Sequence, residues 1–264
     1  MVHDGRMSTQ VAGGGASAPM DRTGDGVRLS APRTARDWAR LRLTDQILSA
    51  ARSQMATEGA AGLSLRAIAR ELGMSSSAIY RYFPSRDELL TALIIEAYNG
   101  LGEATEVAEA AVDRSDLAGR FAAACHAVRD WALSHPHQYA LIYGSPVPGY
   151  KAPTDTVLPA TRVTTVMTLI LADALVAGRV SETVRADHLD ADAVAAMAPV
   201  MNLLPPDFPP ALFARGLLIF AGLFGAISFE LFGQFHNVIE ETPEARTTWF
   251  NVLVNRWAAT IGIE

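Results

Sequence analysis

Apolar residues recur along this chain at helical rather than strand spacing. From Thr44, the residues Ile47, Leu48, Ala51 and Met55 keep a 3.6-residue period until Gly59 and Gly62 interrupt it, which predicts a first helix. Ser64 stands where an N-cap is needed, and Leu65, Ile68, Ala69 and Leu72 share one face before Gly73, so a two-turn helix with an abrupt end follows. Ser75 caps a third short helix reaching about Phe83, and Pro84 breaks it. Ser85 opens a fourth, with Asp87 and Glu88 in its first turn and Leu89, Leu90 and Leu93 behind them. Beyond Gly100 the periodic segments lengthen: 117–134, 158–178, 190–204, 211–235 and 243–261 read as helices. The stretch 135–156 holds four prolines and reads as loop, with a helical turn or two at 138–143. No segment alternates as a strand does. The expected fold class is all-α, with a small amino-terminal module of short helices and a larger helical module after it.

The most informative stretch is Ser64–Phe83, SLRAIARELGMSSSAIYRYF. Two short helices about a tight glycine turn make a helix-turn-helix, whose second helix enters the major groove of DNA. At about 100° per residue, Ile79 and Phe83 fall within roughly 40° of each other and mark the buried side. Ser77, Ala78 and Arg81 then face outward, Ser76 lies nearer the core, and Tyr80 and Tyr82 flank it on opposite sides. A small outward face lets the backbone approach base edges, and serine and tyrosine hydroxyls donate to phosphates without net charge. The competing account is a short aromatic helix that is simply core.

Charge sharpens this picture. The 264-residue chain is half apolar and has a net charge of −6, a balance that speaks against coating nucleic acid through bulk charge. The distribution is uneven, however: Arg28 to Asn99 carries ten arginines against seven acidic residues, and Gly100 to Glu264 ten basic residues against eighteen acidic. The one cysteine, Cys125, allows no intrachain disulfide and no cysteine-based zinc site, which fits a reducing, cytoplasmic setting. Residues 1–40 read as a disordered leader without a secretory signal, and Arg33, Arg36 and Arg40 there, with Arg42 just beyond, are either a DNA-contacting arm or solvated tail. Gly216 to Phe229 is an uncharged run short of the ~18–20 residues that cross a bilayer, so it reads as a buried helix and no membrane partner is expected. His126, His135 and His137 are close in sequence, but Pro136 breaks their spacing and no metal site is expected. Nor does any Ser/His/Asp order, phosphate-binding glycine loop or carboxylate pair point to an enzyme or a cofactor.

The run GAAGLSLRAIARELGMSSSAIYRYFPSRDELL resembles the TetR family of transcriptional regulators nearly position for position. The resemblance implies a three-helix DNA-binding domain over residues 41–86 and a helical ligand-binding and dimerisation domain over 87–264. It implies that Ser64, Ser75, Tyr80, Tyr82 and Arg86 hold phosphates, that Ser76, Ser77, Ala78 and Arg81 face bases, and that Arg66 reaches either. Ser77 stands where the family often has glycine, and Ala78 where it often has threonine. The segments HPHQYALIYGSPVPGY and AGLFGAISFELFGQF are also similar to a subgroup of the family. Phe220, Leu223, Phe224, Ile227 and Leu231 form an apolar stripe, with Gly222, Gly225 and Ala226 permitting close helix approach. With Trp249, Phe250, Leu253 and Trp257 this stripe predicts an intermolecular four-helix bundle or, alternatively, an intramolecular core. Trp131, Tyr139, Tyr143, Met167, Met201 and Phe224 are candidate lining residues of an apolar ligand pocket. The expectation is a homodimeric repressor released from a palindromic double-stranded DNA operator by a small apolar effector. The alternatives are an architectural DNA-binding protein with no ligand response, and an enzyme built on the helical module.

Overall fold

The computed structural model describes residues 34–263, and these contain helices and no strand. The expected leader over 1–33, including Arg33, lies outside the described residues. Thr34 opens the first helix: its hydroxyl accepts from the Asp37 amide at 3.1 Å, while the Asp37 carboxylate accepts from the Thr34 amide at 3.1 Å. That reciprocal cap starts α1 (Ala35–Glu58) well before Thr44. Arg36, Arg40 and Arg42 therefore lie on a helix, which corrects the leader expected to run to residue 40. Two hydrophobic cores lie within residues 42–264.

After α1 a 3-10 turn, Ala60–Gly62, leads into α2 (Leu65–Glu71), α3 (Ser76–Ile79) and the long α4 (Arg86–Ala110). Ile47, Ala51 and Met55 of α1 pack with Leu65 and Ile68 of α2, with Ile79 and Phe83, and with Leu89, Leu90 and Leu93 of α4. The expected boundary at residue 86 thus falls too early, since the first core takes in α4 as far as Leu93. The same helix runs through Gly100 without a break and places Ala97 and Leu101 in the second core.

That second core is built on α5 (Leu117–Ser134), α6 (Pro136–Tyr143), α7 (Val157–Ala160), α8 (Arg162–Val176), α9 (Glu182–Arg185), α10 (Ala191–Ala196), α11 (Ala198–Met201), α12 (Pro210–Leu231) and α13 (Pro243–Ile261). Phe121, Cys125, Val128, Ile170, Leu212, Leu223, Ile227 and Phe250 are among its buried residues. The helix expected over 158–178 is two, α7 and α8, meeting at a 43° bend. The one expected over 190–204 is also two, because Pro199 has no amide hydrogen for the carbonyl one turn back. By length and apolarity α12 could cross a membrane. Ile219, Leu223 and Ile227 of this helix are buried against the rest of the chain, 28% of its apolar stretch is buried in all, and Arg215 and Glu230 are paired with Asp187 and Arg129.

Ion pairs join these helices. Arg162 of α8 makes a two-pronged contact with Glu106 of α4 at 2.8 and 2.6 Å and also donates to the Asn99 carbonyl at 2.9 Å. Gly102 makes the approach possible, since a Cβ there would lie 2.6 Å from that of Arg162. The hydrogen bond from Arg162 holds the Glu106 carboxyl below its ordinary pKa. Arg129 of α5 is buried, grips Glu230 of α12 at 2.8 and 2.6 Å and lies over the Phe250 ring at 5.2 Å.

Arg129→Met strands a nearly buried carboxylate, and a loss of about 3 kcal/mol is expected from urea unfolding. The double change Arg129→Met with Glu230→Leu should recover most of it. A double variant no more stable than the single one would show that packing, not the unpaired charge, sets the cost.

Candidate DNA-reading surface and sensor site

Local rules fix the reading head. Ser64 accepts from the Ala67 amide at 3.4 Å to cap α2, and Ser75 accepts from Ala78 at 3.2 Å to cap α3. Between the two helices Gly73 sits at φ +65°, the Met74 amide donates to the Ala69 carbonyl at 2.8 Å, and the Gly73 amide to Arg70 at 3.3 Å. This is a Schellman turn, which needs a left-handed residue at Gly73, and Met74 packs back on the head core.

Helix α3 is shorter than expected. It ends at Ile79, and the residues up to Phe83 continue as turns, with Arg81 donating to the Ala78 carbonyl and Tyr82 to that of Ile79. Ser76, Ser77, Tyr80 and Arg81 are exposed, Ala78 and Tyr82 are half-buried, and Ile79 and Phe83 are inside. A uniform helical wheel draws Ser76 toward the core, but at the first position of so short a helix it faces solvent. The Ser75 and Ser77 hydroxyls are 3.1 Å apart. Arg66 and Arg70 of α2 are exposed beside them. The outcome is a surface of small hydroxyl-bearing residues, one tyrosine and three arginines.

Arg86 departs from its expected role. Its guanidinium donates to the carbonyls of Leu63 at 3.1 Å, Ala60 at 2.9 Å and Ala61 at 3.1 Å. These bonds turn it onto the backbone between α1 and α2, where it braces the head, with its side chain still 32% exposed. Gln54 escapes a reading of the sequence. It is buried, accepts from the Ser64 amide at 3.0 Å and donates to Glu58 at 3.2 Å, tying α1 to the start of α2. Its one available signal is a glutamine on the buried face of an amphipathic helix.

Of the expected pocket residues, Tyr139, Tyr143 and Phe224 come together. The Tyr139 hydroxyl donates to the Phe224 carbonyl at 3.0 Å and lies 2.9 Å from that of Ser228. Tyr143 lies tilted by 30° against Phe224 with ring centres 4.1 Å apart and meets Tyr98 edge-on at 6.1 Å. Burial pushes the Tyr139 pKa up to about 12 and raises that of Tyr143 further, so both phenols are neutral donors at physiological pH. Their rings pack on one another. Trp131 instead stacks on His135 at 4.9 Å, Met167 lines a separate void of about 20 Å³, and Met201 is half-buried on α11, outside the cluster. His126 meets Phe250 edge-on and His137 faces away toward the head, so the three histidines have different neighbours. Cys125 is fully buried, and its thiol pKa is raised by that burial.

The predicted dimer stripe divides as well. Leu223, Ile227 and Phe250 are consumed by the chain's own core, while Phe220, Leu231, Leu253 and Trp257 are half-buried against it or beside it. Gly222 admits Trp257 of the same chain, its would-be Cβ lying 3.2 Å from the indole nitrogen. Of the residues named from sequence only Trp249 is exposed, and it is joined by Leu217, Leu218, Phe229 and Val252.

Helix α6 and the loop after it touch both cores. Tyr139 and Tyr143 enter the second, while Leu141, Val147 and Tyr150 pack on the head, and the Tyr150 hydroxyl lies 2.9 Å from that of Thr91.

A capped helix-turn-helix on a larger helical module defines a DNA-binding transcriptional regulator. Residues 47–93 match the model of bacterial regulatory proteins of the tetR family, and residues 121–253 match that of the tetracyclin repressor-like C-terminal domain. The HTH-type transcriptional regulator Rv1816 of Mycobacterium tuberculosis is 41% identical over 202 residues, covering 75% of this chain and 84% of that protein. The crystal structure of SCO4313 superposes with a TM-score of 0.69 at 33% identity, over 86% of this chain and all of the other. A protein of unknown function from Rhodococcus sp. RHA1 gives 0.59 at 26% identity, over 81% and 94% of the two chains. The chain belongs to the TetR family.

Arg86→Ala removes the guanidinium that bonds three carbonyls and is expected to cost about 2 kcal/mol of stability, read as a lower midpoint of thermal or urea unfolding. Arg81→Ala, at an exposed position, should leave that midpoint unchanged and relax base preference in a sequence selection. An Arg86→Ala protein as stable as the parent but weaker on all DNA would return Arg86 to the phosphate contacts.

Proposed function

We propose that this regulator is a cytoplasmic homodimeric repressor that reads a palindromic operator and leaves it when a small, largely apolar effector binds. The observation that carries the DNA reading is the exposed Ser76, Ser77, Tyr80 and Arg81 surface, held by two serine caps and the Gly73 turn. Ser76, Ser77, Ala78 and Arg81 then approach bases, Ser64, Ser75, Tyr80 and Tyr82 donate to phosphates, and Arg66 serves either. Ser64 and Ser75 can do both tasks, since a hydroxyl oxygen that accepts from the helix keeps its hydrogen for a phosphate.

The dimer reading rests on an exposed strip formed by Leu217, Leu218 and Phe229 of α12 with Trp249 and Val252 of α13. Gly225 is on α12 as well, and a Cβ there would meet nothing within 4 Å, which leaves room for a second helix. Two heads held by such a bundle would address half-sites ~34–36 Å apart, one duplex turn. Effector response supplies the switch, because a ligand that binds the two dimer conformations unequally shifts their populations.

Sedimentation and operator titration test the reading together. The parent is expected to be a dimer at micromolar concentration, and Leu218→Glu a folded monomer binding a selected palindrome at least about 100-fold more weakly. A parent that remains monomeric, or a selected site without two-fold symmetry, would remove the dimer and operator from the proposal.

A further inference from the structure

The loop YGSPVPGY after α6 belongs to neither the reading surface nor the exposed strip of α12 and α13, yet its conformation is closely determined. At its start the Gly144 amide donates to the Ala140 carbonyl at 2.9 Å, and a Cβ on Gly144 would run into that oxygen, so only glycine lets the chain leave α6 in this direction. Pro148 and Gly149 form a type II turn, with Gly149 at φ +79° and the Tyr150 amide donating to the Val147 carbonyl at 3.2 Å. The turn leaves Ser145, Pro146, Pro148 and Gly149 exposed and sets Val147 and Tyr150 against the core of the head. Thr91 of α4 already donates its hydroxyl hydrogen to the Asp87 carbonyl at 2.8 Å, so across the 2.9 Å contact between the two hydroxyls Tyr150 is the donor.

Both ends of the loop are anchored. Upstream, Tyr139 is buried in the second core and its hydroxyl donates to the Phe224 carbonyl. Downstream, the buried Thr156 donates to the Pro153 carbonyl at 2.8 Å, and the 3-10 turn Thr154–Thr156 packs on α4. Pro146, Pro148 and Pro153 restrict the backbone between these anchors, which makes the loop a short, stiff link. Helix α4 by itself is a single rod from one core to the other, and bending between Leu93 and Ala97 is its soft motion. A second attachment through Leu141, Val147 and Tyr150 opposes that bend.

We propose that this loop is a strap that fixes the tilt of the reading head, and that Tyr150 is thereby a positioning residue for the spacing of operator half-sites. The proposal rests on the dimeric reading above, because spacing has meaning only when two heads bind together. In a dimer the tilt of each head moves its α3 along the duplex, so a stiff strap selects one spacing and a loose one accepts several. Base preference within a half-site depends on α3 itself and is untouched.

The test uses the full-length protein and a library of inverted repeats whose central spacer varies in length. Tyr150→Phe removes only the hydroxyl. Gly149→Val alters no contact, since a Cβ there meets nothing within 4 Å, but it strains a backbone held at positive φ. The parent is expected to favour one spacer about tenfold over those one base pair longer or shorter. That ratio should fall at least about threefold in each variant, with base preference inside the half-site unchanged. Tyr150→Phe, which keeps the ring, decides the matter if Gly149→Val does not fold. A sharp preference retained in the variants overturns the strap. So does an equal loss of affinity at every spacer together with a lower midpoint of urea unfolding, which is what a purely structural contact gives. A parent that selects no two-fold site removes the dimeric reading, and the spacing role falls with it.

Discussion

The backbone between α1 and α2 makes few hydrogen bonds of its own, and one side chain from a distant position bonds three of its carbonyls. Arg86, the first residue of α4, holds Ala60, Ala61 and Leu63 from outside the turn. A charged donor shared among three carbonyls of one turn is worth more than a neutral donor would be. Through this contact the start of α4 sets where α2 begins. The Ser64 cap and the Gln54 bridge then set its direction. The DNA-reading surface is thus fixed from α4 rather than by the short α3, which has only four helical residues.

The same helix belongs to the second core beyond Leu93, where the Arg162 pair and the close contact at Gly102 hold it against α8. Helix α6 repeats the arrangement on a smaller scale, giving its tyrosines to one core and Leu141 to the other. Head and sensor therefore share two helices, and neither can tilt without disturbing contacts in both.

Much of this is legible in the sequence because it is local. Serine caps, the Gly73 turn and a 3.6-residue apolar period each depend on a few neighbouring residues, and the all-α class, the four-helix head and the α13 boundaries follow from them. What escapes depends on residues far apart. Nothing near Arg86 indicates that its partners lie more than twenty positions earlier, so family likeness alone supplies its expected role. The apolar face of α12 carries the composition of an interface without its direction; Leu223 and Ile227 turn inward and Leu217 and Leu218 outward. Aromatic residues at Tyr139, Tyr143 and Phe224 do gather, but a composition suited to a pocket is equally suited to a core of packed rings.

Because the seam between the two cores falls inside an unbroken helix, the reading head is not an interchangeable cassette. A chimera carrying another head must splice within α4, between Leu93 and Ala97, and keep the residue count intact. One added residue would rotate every downstream position by about 100° and advance it by about 1.5 Å. Leu101 would then leave its core, and Gly102 would no longer face Arg162. Operator specificity in this protein can be exchanged by recombination only in helical register, which favours change by point substitution on the exposed face around Ser76 and Arg81.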